Sequence, residues 1–137
     1  MKILLVGGSC ETRFLVKTLR IKNYNVTVIN EDKAFCTALS DEYDIISVCG
    51  DGSSPYVLQK TQVDKMDLVV ALDDKYATNF LVCEIAKNQF YVPKVMAIVS
   101  DPQNKELFCE LDVDCCICMT DFFEEIIEPR ATHNDIS

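Results

Sequence analysis

A chain of 137 residues holds one domain, and a composition of 49% hydrophobic and 26% charged residues excludes a disordered polymer. The formal net charge of −9 excludes a DNA- or RNA-binding surface, because phosphate recognition needs clustered Lys and Arg, and an anionic membrane surface repels such a chain too. No apolar run reaches the roughly 20 residues that cross a bilayer, and the opening run Ile3 to Val6, preceded by Lys2 alone and stopped by Gly7 and Gly8, is not a secretory signal, so a cytoplasmic location is expected.

In chain order, short apolar runs alternate with helical patterns. Lys2–Val6 predicts a first strand and Cys10–Ile21 the helix after it. Asn25–Ile29 predicts the second strand, followed by a helix over Glu31–Leu39. A third strand over Asp44–Val48 leads to a short helix over Pro55–Lys60, with Ser54 as its cap and Pro55 at its first position. Asp67–Ala71 is the fourth strand and Asp74–Asn88 the next helix, with Thr78, Leu81, Val82, Ile85 and Ala86 as an apolar stripe. Lys94–Val99 is the fifth strand, and Asp101 caps a helix over Pro102–Leu111. Asp114–Met119 is the sixth strand. A last helix is expected over Asp121–Ile127, with an apolar face of Phe122, Phe123, Ile126 and Ile127 that stops at Pro129, before a loose polar tail over 130–137.

Near-continuous apolar runs such as Ile3 to Val6 and Leu68 to Ala71 suit strands covered on both faces, the mark of a parallel sheet. Strict alternation then predicts an α/β fold: a Rossmann-type doubly wound parallel sheet of six strands with helices on both faces. No repeat or linker interrupts the chain before Thr120, so residues 1–120 are expected to form the domain and 121–137 a C-terminal helix and tail.

Eight cysteines invite a disulfide or zinc reading, which their positions oppose. Cys49 closes an apolar run and Cys83 lies inside a helical pattern, as buried free thiols do. Cys115 and Cys118 have a C-x-x-C spacing, but no second pair accompanies them, and His133 in the tail is the only histidine. Strand alternation also puts those two cysteines on opposite faces, so no metal site is expected.

In a doubly wound sheet, ligands bind beyond the carboxyl ends of the strands, where strand order reverses. The first such end carries Gly7, Gly8, Ser9, Cys10, Glu11 and Thr12 and then opens a helix, whose N-terminal N–H groups attract phosphate. Against the Gly-x-Gly-x-x-Gly pattern, Ser9 and Thr12 replace the second and third glycines. The Ser9 Cβ limits close approach of a pyrophosphate, and Thr12 is expected to loosen helix-strand packing slightly. The second strand ends at Asn30, where an acidic ribose-binding residue is usual, with Glu31 and Asp32 beside it. Those carboxylates also read as a solvated cap of the next helix, and for Glu31 the two readings weigh about equally. Gly50, Asp51, Gly52 and Ser53 follow the third strand, and Ala71, Leu72, Asp73 and Asp74 the fourth, converging on the same crevice.

The ordered set Met1 to Gly7, Val26 to Asn30, Gly50-Asp51-Gly52, Leu72-Asp73-Asp74 with Asn79, and Ser100-Asp101-Pro102 resembles the N-terminal nucleotide-binding domain of the regulators of potassium conductance. That family includes the TrkA and KtrA subunits of bacterial potassium uptake systems, and the likeness covers about Met1 to Thr120. The resemblance implies a non-catalytic sensor that binds NAD(H) or an adenine nucleotide (AMP, ADP or ATP). It further implies assembly into homodimers or rings, and gating of a membrane potassium transporter or channel subunit. By the same resemblance Gly7 to Thr12 face the phosphates, Asn30 and Glu31 the adenosine ribose, and Asp51 the adenine edge, while Ala71, Leu72 and Asp73 line the crevice. Phe80, Tyr91 and the Phe122 to Ile127 face are candidate dimer contacts, with core packing as the alternative.

Several positions depart from the family. Cys10 stands where relatives commonly carry an arginine that meets phosphate, and Ile98 and Ser100 where many carry arginines near the site or the dimer contact. Arg13 supplies that charge or lies on the surface. With few cations, an AMP- or ADP-like ligand is expected over intact NAD. The family's second, smaller regulatory domain is not found within these residues, which fits a piece of a longer protein as well as a short family member. Two other functions remain open: a ligand-free structural or dimerisation module, and a small NAD-dependent oxidoreductase. The latter needs a substrate domain and a proton-transfer residue, for which the chain offers little.

Overall fold

The computed structural model describes residues 1–111 and 113–128. Pro129, the polar tail and His133 therefore lie outside the described residues. The elements run β1 (Lys2–Val6), α1 (Cys10–Ile21), β2 (Asn25–Asn30), α2 (Lys33–Glu42), β3 (Ile46–Cys49) and α3 (Pro55–Lys60). A 3-10 turn over Val63–Lys65 leads into β4 (Leu68–Ala71), α4 (Tyr76–Asn88) and β5 (Lys94–Val99). A second 3-10 turn, Pro102–Asn104, runs into α5 (Lys105–Glu110), then β6 (Cys115–Cys118) and α6 (Met119–Ile127). All strand pairs are parallel, in the order β3-β2-β1-β4-β5-β6. The order reverses between β1 and β4, so the carboxyl ends of those two strands flank the crevice.

Hydrophobic burial differs between the two strands that meet at this reversal. Ile3, Leu4, Leu5 and Val6 are all buried, because β1 is covered on both faces. In β4 only Val69 and Ala71 are buried, while Leu68 and Val70 are half-buried. The expectation of two-sided cover for Leu68 to Ala71 is thus corrected. One face of the sheet is packed by α3, α4 and α5 around Leu4, Val69, Val82, Val95 and Phe108. The other is packed by α1 and α2 around Leu5, Val16, Val28 and Leu39. Beyond α1, an apolar hollow of about 600 Å³ opens over Leu68, Val70, Met96, Ile98 and Ile117.

Local chemistry accounts for the shifted boundaries. Asp32 Oδ1 accepts from Phe35 N at 3.2 Å and caps α2, so the helix starts at Lys33 rather than Glu31. Ile45 N donates to Tyr43 O in a turn, which delays β3 to Ile46. Asp73 Oδ2 accepts from Lys75 N at 3.0 Å, keeping Asp74 in a loop and starting α4 at Tyr76. The buried stripe of α4 includes Asn79, Val82, Cys83, Ile85 and Ala86, whereas Leu81 is exposed. Met119 belongs to α6, not to the sixth strand, because the helix follows β6 without a loop.

All eight cysteines are free, and no cluster of metal-ligating side chains occurs among the described residues. Cys83 is buried as expected, but Cys49 is exposed at the tip of β3, with its Sγ 3.4 Å from Glu31 O. Cys115 is exposed and Cys118 buried, in keeping with alternation along β6.

Candidate functional site

The crevice is built from the sheet's own hydrogen-bond ladder continued past the strand ends. Gly7 N donates to Ile29 O at 2.9 Å, Gly50 N to Asn30 O at 3.0 Å, and Leu72 N to Val6 O at 2.8 Å. These bonds draw four loops to one place. The hollow between them measures about 200 Å³, and the expected residues Gly7, Gly8, Asn30, Glu31, Gly50, Asp51, Gly52 and Asp73 line it. Val6, Ile29, Asp32 and Thr78 complete the wall. An adjoining hollow of about 200 Å³ is lined by Gly8, Ser9, Glu11, Leu72, Asp73 and Asp74.

The glycine turn has a steric basis. Gly7 and Gly8 both have positive φ, +82° and +81°, which side-chain-bearing residues rarely adopt. A Cβ on Gly7 would lie 3.1 Å from the Asp73 backbone, and one on Gly8 would run into the Thr12 hydroxyl. Thr12 itself is fully buried, and its Oγ1 donates to Gly7 O at 2.7 Å. The third fingerprint position thus braces the turn from below and does not face the crevice. Ala71 is fully buried in the core, and Cys10 is exposed on the first turn of α1, outside both hollows.

Asn30 is 7% exposed and joins two loops: its Nδ2 donates to Gly8 O and its Oδ1 accepts from Asp32 N, both at 3.0 Å. Because Asp32 is the cap of α2, Glu31 is released from that role and lies exposed on the crevice wall. Asp51 Oδ1 accepts from Ser53 Oγ at 2.7 Å and Ser53 N at 2.9 Å, which holds its carboxyl below the usual carboxylate range. Opposite, Asn79 is 1% exposed and acts as a clamp. Its Oδ1 accepts from Asp73 N at 2.9 Å, while Nδ2 donates to Asp73 O at 2.7 Å and Ile98 O at 2.9 Å.

The electrostatics are one-sided. Glu11, Glu31, Asp32, Asp51, Asp73 and Asp74 line the two hollows, and no Lys or Arg is among their lining residues. Arg13, a candidate phosphate ligand, is turned away: it pairs with Glu42 at 2.6 Å and lies over the Phe35 ring. At the turn, Ser9 N donates to Glu11 Oε1 at 3.3 Å. Asp32, weighed beside Glu31, both caps α2 and lines the crevice. Thr78 is the lining residue that sequence reasoning missed, because its spacing places it in the apolar stripe of its helix.

A doubly wound parallel sheet with a paired-glycine turn at its reversal point defines a Rossmann-type α/β domain. Within that class, the chain belongs to the TrkA-N domain family, whose model matches residues 3–119. It is 26% identical to a Trk system potassium uptake protein TrkA homolog of Methanothermobacter thermautotrophicus, over 83% of this chain and 52% of that protein. It is 27% identical to the Trk system potassium uptake protein TrkA of Mycobacterium tuberculosis, over 99% of this chain and 62% of that protein. The chain therefore spans only about half to three-fifths of these relatives.

Solved structures share the fold. The TrkA-N domain of the inner membrane protein ybaL from Escherichia coli superposes with a TM-score of 0.82 at 13% identity, covering 93% of this chain and 96% of that one. The GsuK channel bound to NAD gives 0.75 at 20% identity, covering 85% and 21%. The Shewanella denitrificans Kef C-terminal domain in its AMP-bound form gives 0.76 at 14% identity, covering 86% and 71%.

Proposed function

We propose that this chain is a regulatory nucleotide-binding module of a potassium uptake or potassium channel system, binding an adenine nucleotide or NAD(H) in the crevice and gating a membrane partner. The observation that carries the reading is the paired-glycine turn at the sheet's reversal point, faced by Glu31 and Asp51, in a TrkA-N chain. The turn Gly7 to Ser9 would receive the phosphates, Glu31 the ribose and Asp51 the adenine edge. Asn30 acts on the ribose edge by holding the two loops together. Likeness to an NAD-bound channel and an AMP-bound Kef domain supports this ligand class.

A ligand with few phosphate charges, AMP first, is favoured over ADP and ATP. The carboxylate-rich lining of both hollows disfavours each added phosphate charge. The module acts at the inner face of the membrane through its partner; among the described residues no helix is long and apolar enough to cross a bilayer. It works as a homodimer or ring. Tyr91, Phe123, Ile126 and Ile127 are exposed as contact candidates, whereas Phe80 packs edge-on against the buried Phe108 ring at 5.7 Å and belongs to the core.

Gating requires that the nucleotide bind two assembly states with different affinity. The testing experiment is a thermal-shift and size-exclusion panel with AMP, ADP, ATP, NAD and NADH. Stabilisation by one nucleotide with a change of assembly, and no turnover, supports the sensor. A second reading, a ligand-free structural module, is favoured by the Glu11 carboxylate seated on the glycine turn. It prevails if none of the nucleotides stabilises the protein at millimolar concentration.

A further inference from the structure

We propose that Glu11 sets how many phosphate charges the crevice accepts, acting as a built-in anion that a ligand phosphate must displace or approach; this rests on the nucleotide-binding reading above. A glycine turn opening a helix offers backbone N–H groups and the positive end of the helix dipole to an anion. Here a carboxylate of the chain itself takes that position: Glu11 Oε1 accepts from Ser9 N at 3.3 Å. The same oxygen lies 3.2 Å from where a Cβ of Gly8 would stand, so the carboxylate rests against the turn itself.

Two further observations make this charge matter. The basic residue nearest in sequence, Arg13, is held by Glu42 at 2.6 Å and by the Phe35 ring, and so does not neutralise Glu11 or a ligand phosphate. The other titratable groups lining the hollow beside Glu11 are Asp73 and Asp74, both of the same sign. A phosphate entering the turn therefore meets carboxylates uncompensated by any lining Lys or Arg, and each added phosphate charge increases the repulsion. The ligand class that fits is an adenine nucleoside or nucleoside monophosphate; phosphates are penalised by the negative charge they bring, ADP more than AMP and more than the pyrophosphate diester of NAD.

The test is titration calorimetry of the full chain with adenosine, AMP, ADP and NAD, comparing wild type with Glu11→Gln. Glutamine keeps a carbonyl oxygen for Ser9 N–H and removes the charge. The substitution is at an exposed position, and Asp64→Asn, on the 3-10 turn before β4, makes the same charge change at the opposite end of the strands. The expected result is unchanged adenosine affinity, a few-fold gain for AMP and roughly a tenfold gain for ADP in Glu11→Gln, shrinking at high salt, with no gain in Asp64→Asn. Equal changes for all four probes, equal gains in Asp64→Asn, or binding that Glu11→Gln leaves untouched would overturn the role of Glu11 while leaving nucleotide binding intact. Absence of binding by every probe in both proteins would overturn the nucleotide reading and this inference with it.

Discussion

The two faces of the sheet differ in how completely the chain covers them. The face under α3, α4 and α5 is closed from β1 across to β6, with Leu4, Val69, Val95 and Phe108 all fully buried. On the opposite face α1 and α2 cover β1 and β2, and the apolar side chains of β4, β5 and β6 face an open hollow. The same residue types thus do different things: on the closed face they hold the fold together, and on the open one they contribute less to the isolated chain.

Substitutions sharpen or break that comparison. Phe108→Ala, at the centre of the closed face, is expected to cost about 3–5 kcal/mol in urea unfolding, the usual range for a buried phenylalanine. Asn79→Ala, which leaves Asp73 N–H and Ile98 O without their partner, is expected to cost about 2–3 kcal/mol by the same measurement. The neighbours Val69 and Val70 give the most direct comparison, since they point to opposite faces of one strand. Val69→Ala should cost about 2 kcal/mol and Val70→Ala below about 1 kcal/mol in denaturant melts. Equal costs for the two valines would mean that the open face is covered in solution.

Thiols give a subtler readout of the same asymmetry. Burial on the closed face pushes the Cys83 thiol up to about 12 and the Cys116 thiol up to about 11. Both thiols stay protonated in the folded chain while the unfolded chain ionises near 9, so their contribution to stability is complete below pH 9. It is lost progressively as pH rises towards 11 and 12. Alkaline melts should show this decline, and a disulfide reagent at neutral pH should label exposed Cys10, Cys49, Cys109 and Cys115 well before Cys83. Equally fast labelling of Cys83 would show that the closed face opens readily.

The sequence made the strand-helix alternation, and hence the doubly wound sheet, readable because period and punctuation agree along most of the chain. What it did not carry was the cover on β4. Ile3 to Val6 and Leu68 to Ala71 are alike as strings, and only the placement of α1 distinguishes a strand buried on both faces from one with an open side. The crevice residues were legible as strand ends, where turn chemistry is local. The inward roles of Thr12 and Asn30 were not, because a hydroxyl under a turn and an amide spanning two loops depend on partners 5 and 22 residues away. Glu31 and Asp32 looked interchangeable as carboxylates until the start of α2 assigned the cap to Asp32.

The Asn79 amide has a mechanical meaning beyond stability. It bonds the N–H and the C=O of Asp73 and Ile98 O at once, and the Ile98 side chain lies on the open face of the sheet. The wall of the crevice and the floor of the uncovered hollow are therefore joined through a single buried side chain.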